Sequence, residues 1–208
     1  MLFLATMSAD VAVAKTVMAH FMLANSYAYT VAQWKTDMAA AQQIGIDGFS
    51  LNWTPPDCTS PSLDWQVSRI ADAYTAAESM GFWLMFSFDM SYTVCNTYWN
   101  QTFMASMISK HAGSSATYRW NTNILVSTYG GDTVSEYGNT FFQGLKDTMK
   151  ASGNAISLAP ALTSYSTTAQ YTPSTSASSL MSDYTSIDGY FNCMQLSLAV
   201  PAIPLANT

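Results

Sequence analysis

Charge is what this sequence has least of. Asp, Glu, Lys and Arg make up 10% of its 208 residues, against about 25% in an ordinary soluble domain. Only seven Lys and Arg stand against thirteen Asp and Glu, for a formal net charge of −6. No basic run could neutralise a phosphate backbone, so nucleic acid is excluded as a partner class. Long apolar runs are missing too. No stretch reaches the ~18–20 consecutive apolar residues that a bilayer span requires, which excludes the membrane. Cysteine is scarce, and Cys58, Cys95 and Cys193 can neither all pair within one chain nor offer metal-type spacing. A Cys58–Cys95 bridge with Cys193 left over stays open. The chain has no phosphate loop, zinc pattern or nucleophile elbow, and no cofactor is expected.

Neutral polarity takes the place of charge: Ser, Thr, Asn, Gln and Tyr are abundant. Such a surface suits an extracellular protein that handles a neutral polymer. The start argues less clearly for export. Met1–Ala5 is too short for a signal h-region, yet Ala12-Val13-Ala14 before Lys15 has the form of an A-x-A cleavage site. Residues 1–14 therefore read as a defective leader or signal segment, 15–192 as the folded body, and 193–208 as a tail foreign to it.

Within the body, apolar runs and helical periodicities alternate. Val17–Met22 reads as a strand. Thr30 then N-caps a helix with Val31, Trp34, Met38 and Ala41 on one face. Gly45 ends it, and Ile46–Asn52 is the second strand. After a Pro-containing loop, Leu63, Val67, Ile70, Tyr74 and Ala77 mark a second helix. Phe82–Phe88 is apolar throughout, the signature of a parallel strand buried on both faces. A helix over about Tyr98–Lys110, a strand at Ile124–Thr128, a Gly130-Gly131 loop and a helix carrying Phe142, Leu145 and Met149 follow. Ile156–Ala159, a short helix with Leu180, Met181 and Tyr184, and a sixth strand at Ile187–Asn192 complete the pattern. This strand–helix alternation predicts an α/β fold, a (β/α)8 TIM-type barrel of which about six βα units are present. It falls short of the ~250 residues typical of eight units. An open doubly wound sheet alternates in the same way, but the first strand is followed by no Gly-rich fingerprint.

Barrel chemistry gathers at the C-terminal strand ends, which nominates His20, Asn52, Asp89, Ser127, Thr128, Asp132 and Asn192. Asp89 closes a solidly apolar strand, where a carboxylate is costly unless it is bonded; it either contacts substrate or caps its own loop. His20 either meets a sugar hydroxyl or is a hydrogen-bonded core residue. Asn52 with Trp53 pairs an amide with an aromatic plate, useful against a sugar's hydroxyls and apolar ring face, unless Trp53 packs under a loop. Asp132 and Glu136 have the form of an acid–base pair, although two acids four apart are more often a solvated loop or helix start. Asn52-Trp53-Thr54 and Asn100-Gln101-Thr102 fit the N-glycosylation pattern. The first is discounted because a barrel mouth is a poor acceptor.

The runs Val17–Met22, Asn25 with Tyr29-Thr30 and Trp34, and Gly45–Phe49 through Asn52 stand in a recognisable order. So do Ala73-Tyr74 with Glu78 and Gly81-Phe82, Phe86–Asp89, Leu125–Gly131 and Ile187–Asn192. Together, over roughly Thr16 to Asn192, they resemble the fungal α-1,3-glucanases called mutanases, glycoside hydrolase family 71. The resemblance implies a secreted, endo-acting, inverting and metal-independent hydrolase of α-1,3-glucan, monomeric when complete. It also implies that the acid–base pair lies beyond this chain, so the catalytic residues are unknown. The substrate-binding candidates are then His20, Asn52, Trp53, Asp89, Thr128 and Asn192. After Asn192 the family's Trp-containing segment is replaced by Cys193–Leu198. That suggests a frameshift or retained intron, and a truncated, inactive product. The alternatives are a non-catalytic glucan-binding protein and a non-functional gene product.

Overall fold

The computed structural model describes residues 15–55, 65–91, 98–132, 134–165 and 179–191. Strand β1 (Met18–Met22) leads through a short 3-10 turn to α1 (Val31–Gln43). Thr30 starts that helix as expected: Gln33 Oε1 reaches back to accept from the Thr30 N–H at 2.8 Å, the return half of a capping box. β2 (Gly48–Trp53), α2 (Trp65–Met80), β3 (Trp83–Asp89) and α3 (Gln101–His111) follow. Asn100 Oδ1 caps α3, accepting from the Thr102 and Phe103 N–H groups at 2.9 and 3.2 Å, a cap worth about 1 kcal/mol. The two-residue β4 (Arg119–Trp120), β5 (Asn123–Tyr129), α4 (Asn139–Ala151) and β6 (Ile156–Leu158) complete the named elements.

β4 was not foreseen. It pairs antiparallel with β5 through Asn121 and Thr122, both at positive φ (49° and 72°), as a two-residue hairpin turn demands. Asn-Thr lacks the glycine that usually announces such a turn, and β-branched Thr122 is strained there. The hairpin fills the space between the starts of β3 and β5, where Leu84 bridges Thr117.

Apart from that hairpin, every strand pairing is parallel, and β1, β2, β3, β5 and β6 lie side by side in chain order. A doubly wound sheet reverses its order at a switch point; this one winds in one direction only, as a barrel wall must. Its two faces differ. Phe49, Leu51 and Trp53 of β2, Leu84, Phe86 and Phe88 of β3, and Ile124, Val126, Ile156 and Leu158 share one apolar core with Trp34, Met38, Ile70, Met104, Ile108, Phe142, Leu145 and Met149 of the helices. The alternate residues form the other face: His20 beside Ser50, Asn52 beside Ser87, Ser87 beside Ser127, and Asp89 beside Tyr129.

That second face is concave. On a flat sheet, three strand spacings of about 4.8 Å would hold β1 and β5 roughly 14 Å apart. The rings of His20 and Tyr129 nevertheless approach to a centroid distance of 6.3 Å, so the sheet curls toward this side as an incomplete barrel does. Close approach at the strand ends explains the Gly130-Gly131 loop. Both residues have positive φ, 62° and 91°, and a Cβ on Gly131 would stand 2.6 Å from Met90 Cβ. Only glycine satisfies both demands.

An aspartate registers neighbouring strands twice. Asp47 donates its N–H to Val17 O at 2.9 Å and accepts the Val17 N–H on Oδ2 at 2.8 Å. Asp188 repeats both bonds with Leu158, at 2.8 and 2.9 Å. The expected sixth strand therefore starts in register beside β6. Its described part, residues 187–191, makes further bonds from Gly189 N–H to Leu158 O and from Phe191 N–H to Pro160 O, but forms no regular ladder. Of the expected helix with Leu180, Met181 and Tyr184, residues 179–183 are helical; Leu180 and Tyr184 are buried, while Met181 is exposed. The expected leader, the foreign tail and the three cysteines lie outside the described residues.

Candidate functional site

The concave face carries the polar side chains at its strand ends. His20, Asn52 and Asp89, three of the expected contacts, all stand on it, together with Ser50, Ser87, Ser127 and Tyr129. His20 reaches solvent. Burial against the concave face holds its imidazole below the ordinary 6.5, and the Asp89 carboxylate partly offsets this, so the ring is neutral at neutral pH. Asn52 is buried, and among the described residues neither its Nδ2 nor Ser50 Oγ has a hydrogen-bond partner. Donors left unsatisfied under a concave polar surface call for water or a ligand.

Asp89 caps its own loop with one oxygen and leaves the other open. Its Oδ1 accepts from the Ser91 N–H at 3.0 Å and the Ser91 hydroxyl at 2.6 Å, a local loop cap. Its Oδ2 receives no hydrogen bond among the described residues. The Asp89 carbonyl accepts from Trp99 Nε1 at 2.7 Å, which ties the loop after β3 to the start of α3.

Two expected contacts stand elsewhere. Trp53 and Thr128 belong to the opposite parity and are fully buried on the helix side. Trp53 packs at centroid distances of 5.3 Å from Trp99 and 5.5 Å from Phe103, so its indole is a core group with no open face for a sugar. Neighbouring residues of one strand point to opposite sides, and Asn52 takes the concave one. Asn192 lies outside the described residues. Ser50, Ser87 and Tyr129 were missed, though alternation counted back from Asn52 and Asp89 reaches the two serines, and the residue after Thr128 has the parity of Ser127.

Asp132 and Glu136 have separate partners. Asp132 accepts from the Thr163 N–H and hydroxyl at 3.0 and 3.1 Å and from the Ser164 N–H at 2.6 Å. Burial raises its pKa, but these bonds outweigh burial and leave it below the ordinary 3.8. A carboxyl so held ties two loops together and is unsuited to donate a proton. Glu136 accepts from the Ser135 hydroxyl at 2.9 Å and lines a separate rim cleft with Trp99, Asn100 and Thr140.

A singly wound, inward-curled βα sheet with polar side chains on its concave side defines an α/β domain of the incomplete-barrel class. A solved "Glycoside hydrolase-like protein" superposes with a TM-score of 0.52 at 13% identity, over 70% of this chain and 51% of that one, which supports the fold. The profile of Glycosyl hydrolase family 71 matches residues 13–195, and the chain belongs to that family. It is 34% identical over 156 residues to the glucan endo-1,3-alpha-glucosidase agn1 of Schizosaccharomyces pombe, covering 72% of this chain and 34% of the relative. The mutanase Pc12g07500 of Penicillium rubens is 35% identical over 121 residues, 58% of this chain and 25% of the relative. An ascus wall endo-1,3-alpha-glucanase of Schizosaccharomyces pombe is 25% identical over 62% of this chain and 28% of its own length. The chain thus spans about a third or less of the curated relatives it matches.

Proposed function

We propose that this chain forms one wall of the substrate mouth of an endo-acting, inverting, metal-independent α-1,3-glucan hydrolase, working outside the cell, and that alone it binds the polymer without cleaving it. One observation carries this reading: the concave face brings His20, Tyr129 and the Asp89 carboxylate to solvent at its strand ends, above the buried polar groups of Ser50, Asn52 and Ser87. Such a surface suits a neutral polysaccharide. Inversion needs a second carboxyl about 6.5–9.5 Å from the first, with water between. Among the described residues, Asp132 is bound up in a loop tie and Glu136 lines a cleft of its own. Three relatives named for 1,3-α-glucan or as a mutanase support the substrate class.

The test is co-sedimentation of the purified chain with insoluble α-1,3-glucan, with reducing-sugar release measured in the same tube. Binding without sugar release is expected. Asp89→Asn keeps an acceptor for Ser91 but loses the charge-assisted bond to a sugar hydroxyl. That bond is worth about 1.5–3 kcal/mol, so affinity should fall about tenfold or more. Sugar release by the chain would overturn the non-catalytic part, and failure to sediment would overturn the binding part.

A further inference from the structure

We infer that Asn100 is an N-glycosylation site, so that the protein carries an N-linked glycan at the rim of its mouth; the inference rests on the extracellular reading above. The chain has two Asn-x-Thr sequons, and the structure separates them. Asn52 is 3% exposed on the concave face, where a branched sugar would have to displace Ser87 and its neighbours. Asn100 and Thr102 are both exposed at the start of α3. The amide of Asn100 is divided between two tasks. Its Oδ1 caps the helix through Thr102 and Phe103, whereas Nδ2, the atom that takes the sugar, makes no hydrogen bond among the described residues. Glycosylation leaves the carbonyl intact, so the helix cap survives the modification.

The surroundings accommodate a sugar. Asn100 lines an open cleft of about 410 Å³ with Trp99, Ser135, Glu136 and Thr140, which offers hydroxyl and carboxylate partners to the first N-acetylhexosamine. α3 follows β3, so its N-terminus lies at the strand ends that form the mouth, and Trp99 is bonded directly to the Asp89 carbonyl. The chemistry balances without a metal or redox partner held by this chain. Asn100 Nδ2 attacks the anomeric carbon of a lipid-pyrophosphate-linked oligosaccharide presented by the secretory pathway's transferase. A C–N bond forms as the C–O bond to pyrophosphate breaks, the amide nitrogen loses one proton, and the lipid pyrophosphate leaves with the electron pair.

The full chain is expressed in a yeast in two forms, with its own N-terminus and behind a cleavable heterologous signal, each with a control sequon in a C-terminal tag. Mobility is compared before and after N-glycosidase treatment in lysate and medium. Behind the heterologous signal, two glycan steps are expected, one from the tag and one from Asn100. Asn100→Asp, which keeps the cap, and Thr102→Ala, which keeps the asparagine, should each remove one step. Asn52→Gln should remove none from the secreted chain. A tag step without a second one, or a second step that survives Asn100→Asp, overturns the inference. Two steps behind the heterologous signal with none from the native N-terminus would support the site and refute only the export of this chain.

Discussion

At the residue scale, the most consequential single group outside the mouth is His111. Its ring stacks on Tyr74 at a centroid distance of 4.0 Å, and its buried Nε2 has no hydrogen-bond partner among the described residues. Burial first, and Lys110 second, push its pKa down from 6.5 to about 4. In the unfolded chain the imidazole takes up a proton below its ordinary value; in the folded chain it stays neutral until about pH 4. The unfolded state therefore binds more protons in that window, and stability falls as pH drops through it. At about 1.36 kcal/mol per unit, the loss totals roughly 3 kcal/mol. His20, shifted in the same direction, adds to the slope. His111→Phe retains the stack and removes the orphan nitrogen. Its melting temperature should match or exceed that of the parent at pH 7 and decline less between pH 6.5 and pH 4. An unchanged slope in the variant would show that other groups govern the acid response. Single residues also show where the site was legible. Of the residues expected at strand ends, His20, Asn52 and Asp89 stand on the concave face, whereas Trp53 and Thr128 stand on the helix side; β2 is buried at all six positions and β5 carries apolar residues on both parities, so the pattern alone does not say which parity faces the helices.

At the element scale, the two Asp-Gly strand starts act as register pins. Each aspartate exchanges two hydrogen bonds with the residue beside it in the preceding strand. A one-residue slip would exchange the polar and core faces of a strand, so pins of this kind favour the observed pairing. They differ in environment. Both residues are exposed, but among the described residues only Asp188 has a second partner: its Oδ2 also meets Lys146 Nζ at 2.7 Å, with the two side chains about two-thirds or more covered. Asp188→Ala should cost about 1.5–3 kcal/mol, as expected for a lost charge-assisted bond, and Asp47→Ala about 0.5–1.5 kcal/mol. Urea midpoints of the two variants check the order, and equal losses would contradict the account. The elements themselves were largely readable because their determinants are local: the Thr30 start, Gly45 and Gly81, and the spacing of Trp34, Met38 and Ala41. The β4 hairpin escaped because its turn uses Asn121 and Thr122 in place of a glycine. The segment at 187–191 was read as a full strand because its residue types permit one, but its pairing beyond Asp188 depends on Leu158 and Pro160, which its own composition does not encode.

At the scale of the whole molecule, the sheet divides its labour by parity, and β3 offers the cleanest test. Leu84, Phe86 and Phe88 enter the helix-side core, while Ser87 and Asp89 face the concave side. The two sets alternate along one strand, yet they are coupled to different properties. Removing a buried phenyl forfeits transfer energy and leaves a cavity, so Phe86→Ala and Phe88→Ala should each cost about 3–5 kcal/mol. That is a large share of the 5–15 kcal/mol that holds a typical domain together, so both variants should be recovered mainly as aggregate. Ser87→Ala removes one buried hydroxyl beneath the concave mouth and should cost only about 0.5–1.5 kcal/mol, but it should weaken retention on α-1,3-glucan, as Asp89→Asn does. A scan of β3 with urea unfolding and glucan co-sedimentation measured on each variant should therefore show period-2 behaviour with the two readouts out of phase. If stability and binding instead fell together at every position, the concave face would be packing surface rather than a sugar site, and the glucan-binding assignment would fail with it.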